Sequence, residues 1–137
     1  MSSSKSCLPL IEEAQLVIPP GSRPSDRFLP IRINTEELRE AEIYRGDIIY
    51  ANLSLMPSEG QFTAIQTLQR VLLGFLFATL TEYLRVECAC RCLSCGPLFI
   101  HPASILSIGP VTNTLRRNGH ATMVFSYRKF RGALWDR

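Results

Sequence analysis

Four cysteines fall within eight residues, Cys88, Cys90, Cys92 and Cys95, in the spacing C-x-C-x-C-x-x-C. Thiolates are metal ligands, and a C-x-x-C step can wrap a zinc ion, so this is the densest chemical signal in the chain. On a strand, the first three would share one face. Geometry argues against a metal centre. Structural zinc usually takes two ligand pairs from separated segments, and four thiolates so close in sequence resist a tetrahedral arrangement. The strand-like surroundings instead predict buried thiols that act as small hydrophobes, with no cofactor expected. Metal or thiol chemistry at Cys88, Cys90, Cys92 and Cys95 is the alternative.

A second chemical signal lies at the C-terminus, where Ser126 to Arg137 interleave cations with aromatics. That combination contacts phosphates while stacking bases, so Arg116, Arg117, Arg128, Lys129, Phe130 and Arg131 form a candidate nucleic-acid interface. The formal net charge of +3 is unevenly placed: residues 1 to 115 carry nine basic and eleven acidic side chains, residues 116 to 137 six basic and one acidic. Attraction to a polyanion is therefore concentrated in the tail. The preferred reading is a last strand with a frayed, soluble end whose aromatics cover the core or a dimer partner. His101, before Pro102, reads as half-buried, and His120, after Asn118-Gly119, as exposed at a hairpin. Neither sits in a legible Cys-His-Asp pattern. Glu36, Glu37, Glu40 and Glu42 read as the solvated face of a short helix.

These residues need elements to hold them. Residues 1 to 27 have little periodicity, and Pro19-Pro20-Gly21-Ser22-Arg23-Pro24 favours neither helix nor ladder, which predicts an extended arm. A β domain over residues 28 to 127 and a basic aromatic tail over 128 to 137 follow. Phe28 to Ile33 reads as a strand, with Pro30 implying an edge position. Asn34 with Glu37 three residues later looks like a capping box for a short helix over Thr35 to Ala41. Ile48 to Asn52, Gln61 to Thr67, Val71 to Ala78, Tyr83 to Cys90, Leu98 to His101, Ser104 to Ile108, Val111 to Leu115 and Ala121 to Tyr127 then read as strands. Gly74 marks a bulge or bend, and Asn118-Gly119 a hairpin turn. Short strands punctuated by turns predict a mainly β domain, a small partly open barrel or sandwich with one short helix.

The stretch Glu42-Ile43-Tyr44-Arg45-Gly46-Asp47-Ile48-Ile49-Tyr50-Ala51-Asn52, with Pro57 and Gly60 beyond it, resembles a pattern of the LexA/UmuD-like S24 peptidases: a Gly-Asp turn, a strand, then a Pro and Gly turn. Ile105 to Arg116, with Ile108-Gly109-Pro110-Val111, is similar to the closing strand of that family. The resemblance covers roughly residues 28 to 117. It implies a Ser-Lys dyad in which a neutral lysine takes the serine proton. Counting nine residues back from Gly46 reaches Glu37, no serine lies between Ser25 and Ser54, and the only lysines are Lys5 and Lys129. Both halves of the dyad are missing, so a non-catalytic pseudo-peptidase that cannot cleave itself is expected. The family implies homodimers that dock on partners, in the DNA-damage response or in transcription. The length and the arm are closer to the UmuD-like polymerase accessory subunits than to LexA, whose DNA-binding domain has no counterpart here.

At 46% apolar, 137 residues suffice for one cored domain. No apolar run reaches the roughly 18 to 20 residues of a membrane helix, and the first residues lack the pattern of a secretory signal. A cytoplasmic protein without a membrane partner is expected. The apolar run Val71 to Phe77 exceeds what one buried face needs, which predicts a homodimer.

Overall fold

Runs of β-branched and aromatic residues between Gly and Pro turns set out nine strands among the described residues: β1 (Ile11–Glu13), β2 (Phe28–Ile33), β3 (Ile48–Asn52), β4 (Phe62–Thr67), β5 (Val71–Ala78), β6 (Leu84–Glu87), β7 (Leu98–Ile100), β8 (Ile105–Arg116) and β9 (Gly119–Thr122). The computed structural model describes residues 11–13, 19, 21–36, 38–87, 97–116 and 119–122. Every pairing is antiparallel, in the order β1-β2-β3-β8-β4-β5-β6-β7 with β9 also on β8, and the sheet curls into a half-barrel. The mainly β, partly open architecture predicted by the sequence is what forms.

Two cores share the central strands. On one face of β4 and β5, Phe62 lies opposite Phe75 and Ala64 opposite Leu73, and all four join Ile31, Ile33, Leu38, Ile43, Ile49 and Val111. The other face carries Ile65 and Leu72 into a second core with Leu76, Val86 and Ile100. A strand buried on both faces reads as a continuous apolar run rather than an alternation, which accounts for Val71 to Phe77. The premise for a dimer drawn from that run is thus removed, since Leu72, Leu73, Phe75 and Leu76 are all buried within one chain.

β8 serves both halves of the sheet. Residues 105 to 110 pair with β4, and residues from Val111 onward pair with β3. Val111 matches Ala51 and Asn113 matches Tyr50, so Thr112 is an extra residue, and such a bulge bends the strand. Just before it, Gly109 lies so close to the end of β3 that a Cβ there would collide with the Asn52 carbonyl. Pro30 sits comfortably in β2. Ile33 donates its N–H to the Asp47 carbonyl, 2.8 Å away, so by two-residue alternation the nitrogen of residue 30 points away from β3, and β1 pairs only as far as Ile31.

Four expectations need correction. The helix over Thr35 to Ala41 shrinks to a 3-10 turn, η1 (Arg39–Ala41), with Leu38 at its N-cap and no side-chain cap. Asn34 is drawn off, its Oδ1 accepting from Arg45 at 3.0 Å. The strands expected over Ser104 to Ile108 and Val111 to Leu115 are one, because Gly109-Pro110 stay extended and pair with Ala64 and Thr63. Gly74 forms no bulge. It pairs in register with Thr63, and its missing side chain admits β6, since a Cβ there would stand 2.6 Å from the Glu87 carbonyl oxygen and from Val86 Cγ1. Finally, part of the arm is a strand, with Ile11 to Glu13 paired to Ile33 to Ile31.

Candidate functional site

A half-open groove of about 490 Å³ lies between the β3–β4 loop and the start of β8. One wall is the β3–β4 loop, Met56 to Glu59; facing it are Pro102 and the first turn-to-strand residues of β8, Ile105 to Ile108. Leu76 and Ala78 from β5 and Leu84 from β6 complete it, and Leu76, Leu84, Ile105 and Ile108 also belong to, or pack on, the second core. The groove is therefore the open end of a hydrophobic core. Among the described residues its lining carries a single charged side chain, Glu59.

Local hydrogen bonds hold the loop wall in place. Gly60, at a φ of 76° that favours glycine, donates to the Leu76 carbonyl at 2.7 Å, and Leu76 donates to Gln61 O at 3.2 Å. Ser58 N–H donates to Gln61 Oε1 at 2.8 Å, and the Glu59 carboxylate accepts from the Ala78 N–H at 3.0 Å. Glu59 thus caps the end of β5. On this fixed wall Met56 stands 85% exposed, and across the groove Leu106 is 59% exposed. Leu68 and Leu80 are as exposed elsewhere on the surface, but Met56 and Leu106 differ in flanking a concave apolar surface.

No protein-family model and no curated protein matches this chain. The site is defined by its geometry.

Of the residues singled out in the sequence, Cys88, Cys90, Cys92 and Cys95 lie outside the described residues, as do Arg117, Arg128, Lys129, Phe130 and Arg131. Arg116 is described and is engaged at the end of β8. Its Nε donates to buried Asp47 at 3.0 Å, its Nη2 donates to the Glu42 carbonyl, and its guanidinium lies 5.2 Å from the centre of the Tyr44 ring. Asp47 also accepts from the Tyr44 N–H at 3.0 Å. The aspartate of the Gly-Asp turn is therefore a structural clamp between the β2–β3 connection and β8. Of the carboxylate cluster, Glu36 pairs with Arg45 at 3.4 Å on the surface, and residue 37 is outside the described set. Among the described residues no three His, Cys, Asp or Glu side chains converge as a metal site.

His101 begins a second 3-10 turn, η2 (Pro102–Ser104), beside the groove. Its Nδ1 accepts from the Ala103 N–H at 3.1 Å, Nε2 lies 3.5 Å from the Glu82 carboxylate, and the ring meets Tyr83 edge-on at 5.4 Å. Sequence reasoning missed the groove because its signal is small: Met56 as an apolar residue in the turn Met56-Pro57-Ser58-Glu59-Gly60, and Leu106 where neighbouring Ile105 and Ile108 turn inward.

Proposed function

We propose that the chain is a non-catalytic, LexA/UmuD-like interaction module that pairs with a second copy through the groove between the β3–β4 loop and β8 and regulates a partner protein. The observation that carries the reading is a single patch holding both a concave apolar floor and two protruding apolar side chains, Met56 and Leu106. A two-fold interface needs that self-complementarity, because the same surface must serve as knob and as hole. The sequence supports the non-catalytic half: no lysine lies between Lys5 and Lys129, and Glu37 stands where the resemblance would call for serine. The antiparallel half-barrel with its Gly-Asp turn is compatible with the resemblance.

Light scattering on the purified chain at about 50 and 200 mM salt, with and without single-stranded DNA, tests the proposal. A dimer at both salt concentrations is expected, because apolar association is little weakened by salt, whereas phosphate contacts lose affinity steeply over that range. Met56→Glu and Leu106→Glu should each yield folded monomers. A dimer that survives the Met56→Glu/Leu106→Glu double substitution would move the interface elsewhere. A wild-type monomer that binds DNA tightly at low salt would overturn the proposal in favour of the basic tail as a nucleic-acid interface.

A further inference from the structure

We propose that His101 is a proton-sensitive latch beside the groove, capping the first residues of the η2 turn only while its imidazole is neutral. The inference comes from the direction of one hydrogen bond and holds whatever the groove binds. Backbone N–H can only donate, so the nitrogen that Ala103 N–H approaches must offer a lone pair. Nδ1 is therefore unprotonated, and the hydrogen of the neutral ring sits on Nε2, the nitrogen that faces Glu82. The two nitrogens are placed differently: Nδ1 caps the turn, and Nε2 faces the Glu82 carboxylate of the β5–β6 turn at 3.5 Å.

Adding a proton can only place it on Nδ1. The cap then becomes a donor facing a donor, and the bond to Ala103 is lost. At the same time the pairing of Nε2–H with the Glu82 carboxylate gains full charge, so the proton exchanges one contact for the other. The groups facing the ring from the neighbouring β5–β6 turn are Glu82 and Tyr83, and η2 itself contributes no acidic or basic side chain. Ser104 N–H and Ser104 Oγ both donate to the His101 carbonyl, at 2.9 and 2.8 Å, so the turn loosens at its first residues without unravelling. Those residues include Pro102, which lines the groove.

Nitrogen-15 NMR of the full chain tests the latch between pH 8 and 5.5, the span in which imidazoles ordinarily change charge. The Nε2–H tautomer is expected at pH 8. The Ala103 amide should shift with the same midpoint as the ring, and its protection from exchange, corrected for the intrinsic rate, should fall about fivefold, the usual worth of a cap. His101→Asn supplies an acceptor that does not titrate and should keep Ala103 protected at every pH. Glu82→Gln should leave the latch intact, because Nδ1 alone makes the cap on Ala103. An Nδ1–H tautomer at pH 8, or an Ala103 amide that ignores titration of the ring, would overturn the proposal.

Discussion

Replacing Gly109 with alanine tests the crossing on which both halves of the fold depend. The added methyl would meet the Asn52 carbonyl and the backbone at Leu53, and neither can swing aside as a flexible side-chain tip would. Overpacking of this kind costs about 1–3 kcal/mol, and a rigid obstacle places it at the upper end. Against that, alanine restricts the unfolded chain and stabilises by about 0.4–1 kcal/mol where the native backbone suits it. The net is a loss of about 2 kcal/mol. For a domain of this size that lowers the Tm by roughly 6–10 °C. Urea unfolding followed by circular dichroism reads it directly, with an unchanged m-value if the native and unfolded states keep their extents. Gly46→Ala is the control: nothing stands near its Cβ position, but its φ of 94° strains any side chain, so about 1–2 kcal/mol is lost for a conformational reason alone. A Gly109→Ala protein as stable as wild type would refute the seating of the β3 end on β8.

Two further outcomes follow from the clamp and the cysteines. Asp47→Ala should destabilise by about 2–3 kcal/mol in thermal or urea unfolding, because the Tyr44 N–H and the Arg116 guanidinium lose a charged acceptor, while Arg116→Gln should cost about 1 kcal/mol. Elemental analysis should find well under one zinc or iron atom per chain, and Cys90→Ser/Cys92→Ser should alter stability only; stoichiometric metal that disappears in that variant would make the thiol reading the leading one.

Strands were the most legible part of the sequence, because turn chemistry brackets them. Gly46 and Gly60 both adopt positive φ at turns placed from composition, while the Asn118-Gly119 signal falls one residue late, since Gly119, at a φ of 115°, already pairs with Arg116 as the first residue of β9. The failures have local causes. The capping-box spacing at Asn34 and Glu37 points to a helix, but Asn34 Oδ1 accepts from Arg45 instead of capping, and Glu42 at a φ of 62° ends the 3-10 turn after Ala41. Gly109-Pro110 looked like a break, yet a bend within a strand uses the same residues. The groove was invisible because it is made of residues distant in sequence, Met56, Leu76, Leu84 and Leu106, that meet only when the sheet curls. His101 was correctly read as half-buried, but its cap on Ala103 depends on a two-residue offset that any histidine before a proline could show.

The shared strand β8 also sets the order in which the chain can become a protein. β3 and β4 each have one long edge that only residues 105 to 116 can cover. On the ribosome, β4 is complete roughly 40 residues before β8 begins, an interval of about 2–8 s at ordinary elongation rates. During that time the β4–β5–β6 meander can form locally, but β3 and β4 wait with their backbone groups toward solvent. Such edges invite pairing with another nascent chain. Slow synthesis or crowded polysomes should therefore lower the yield of native protein, and chaperone dependence should end abruptly once Arg116 has emerged.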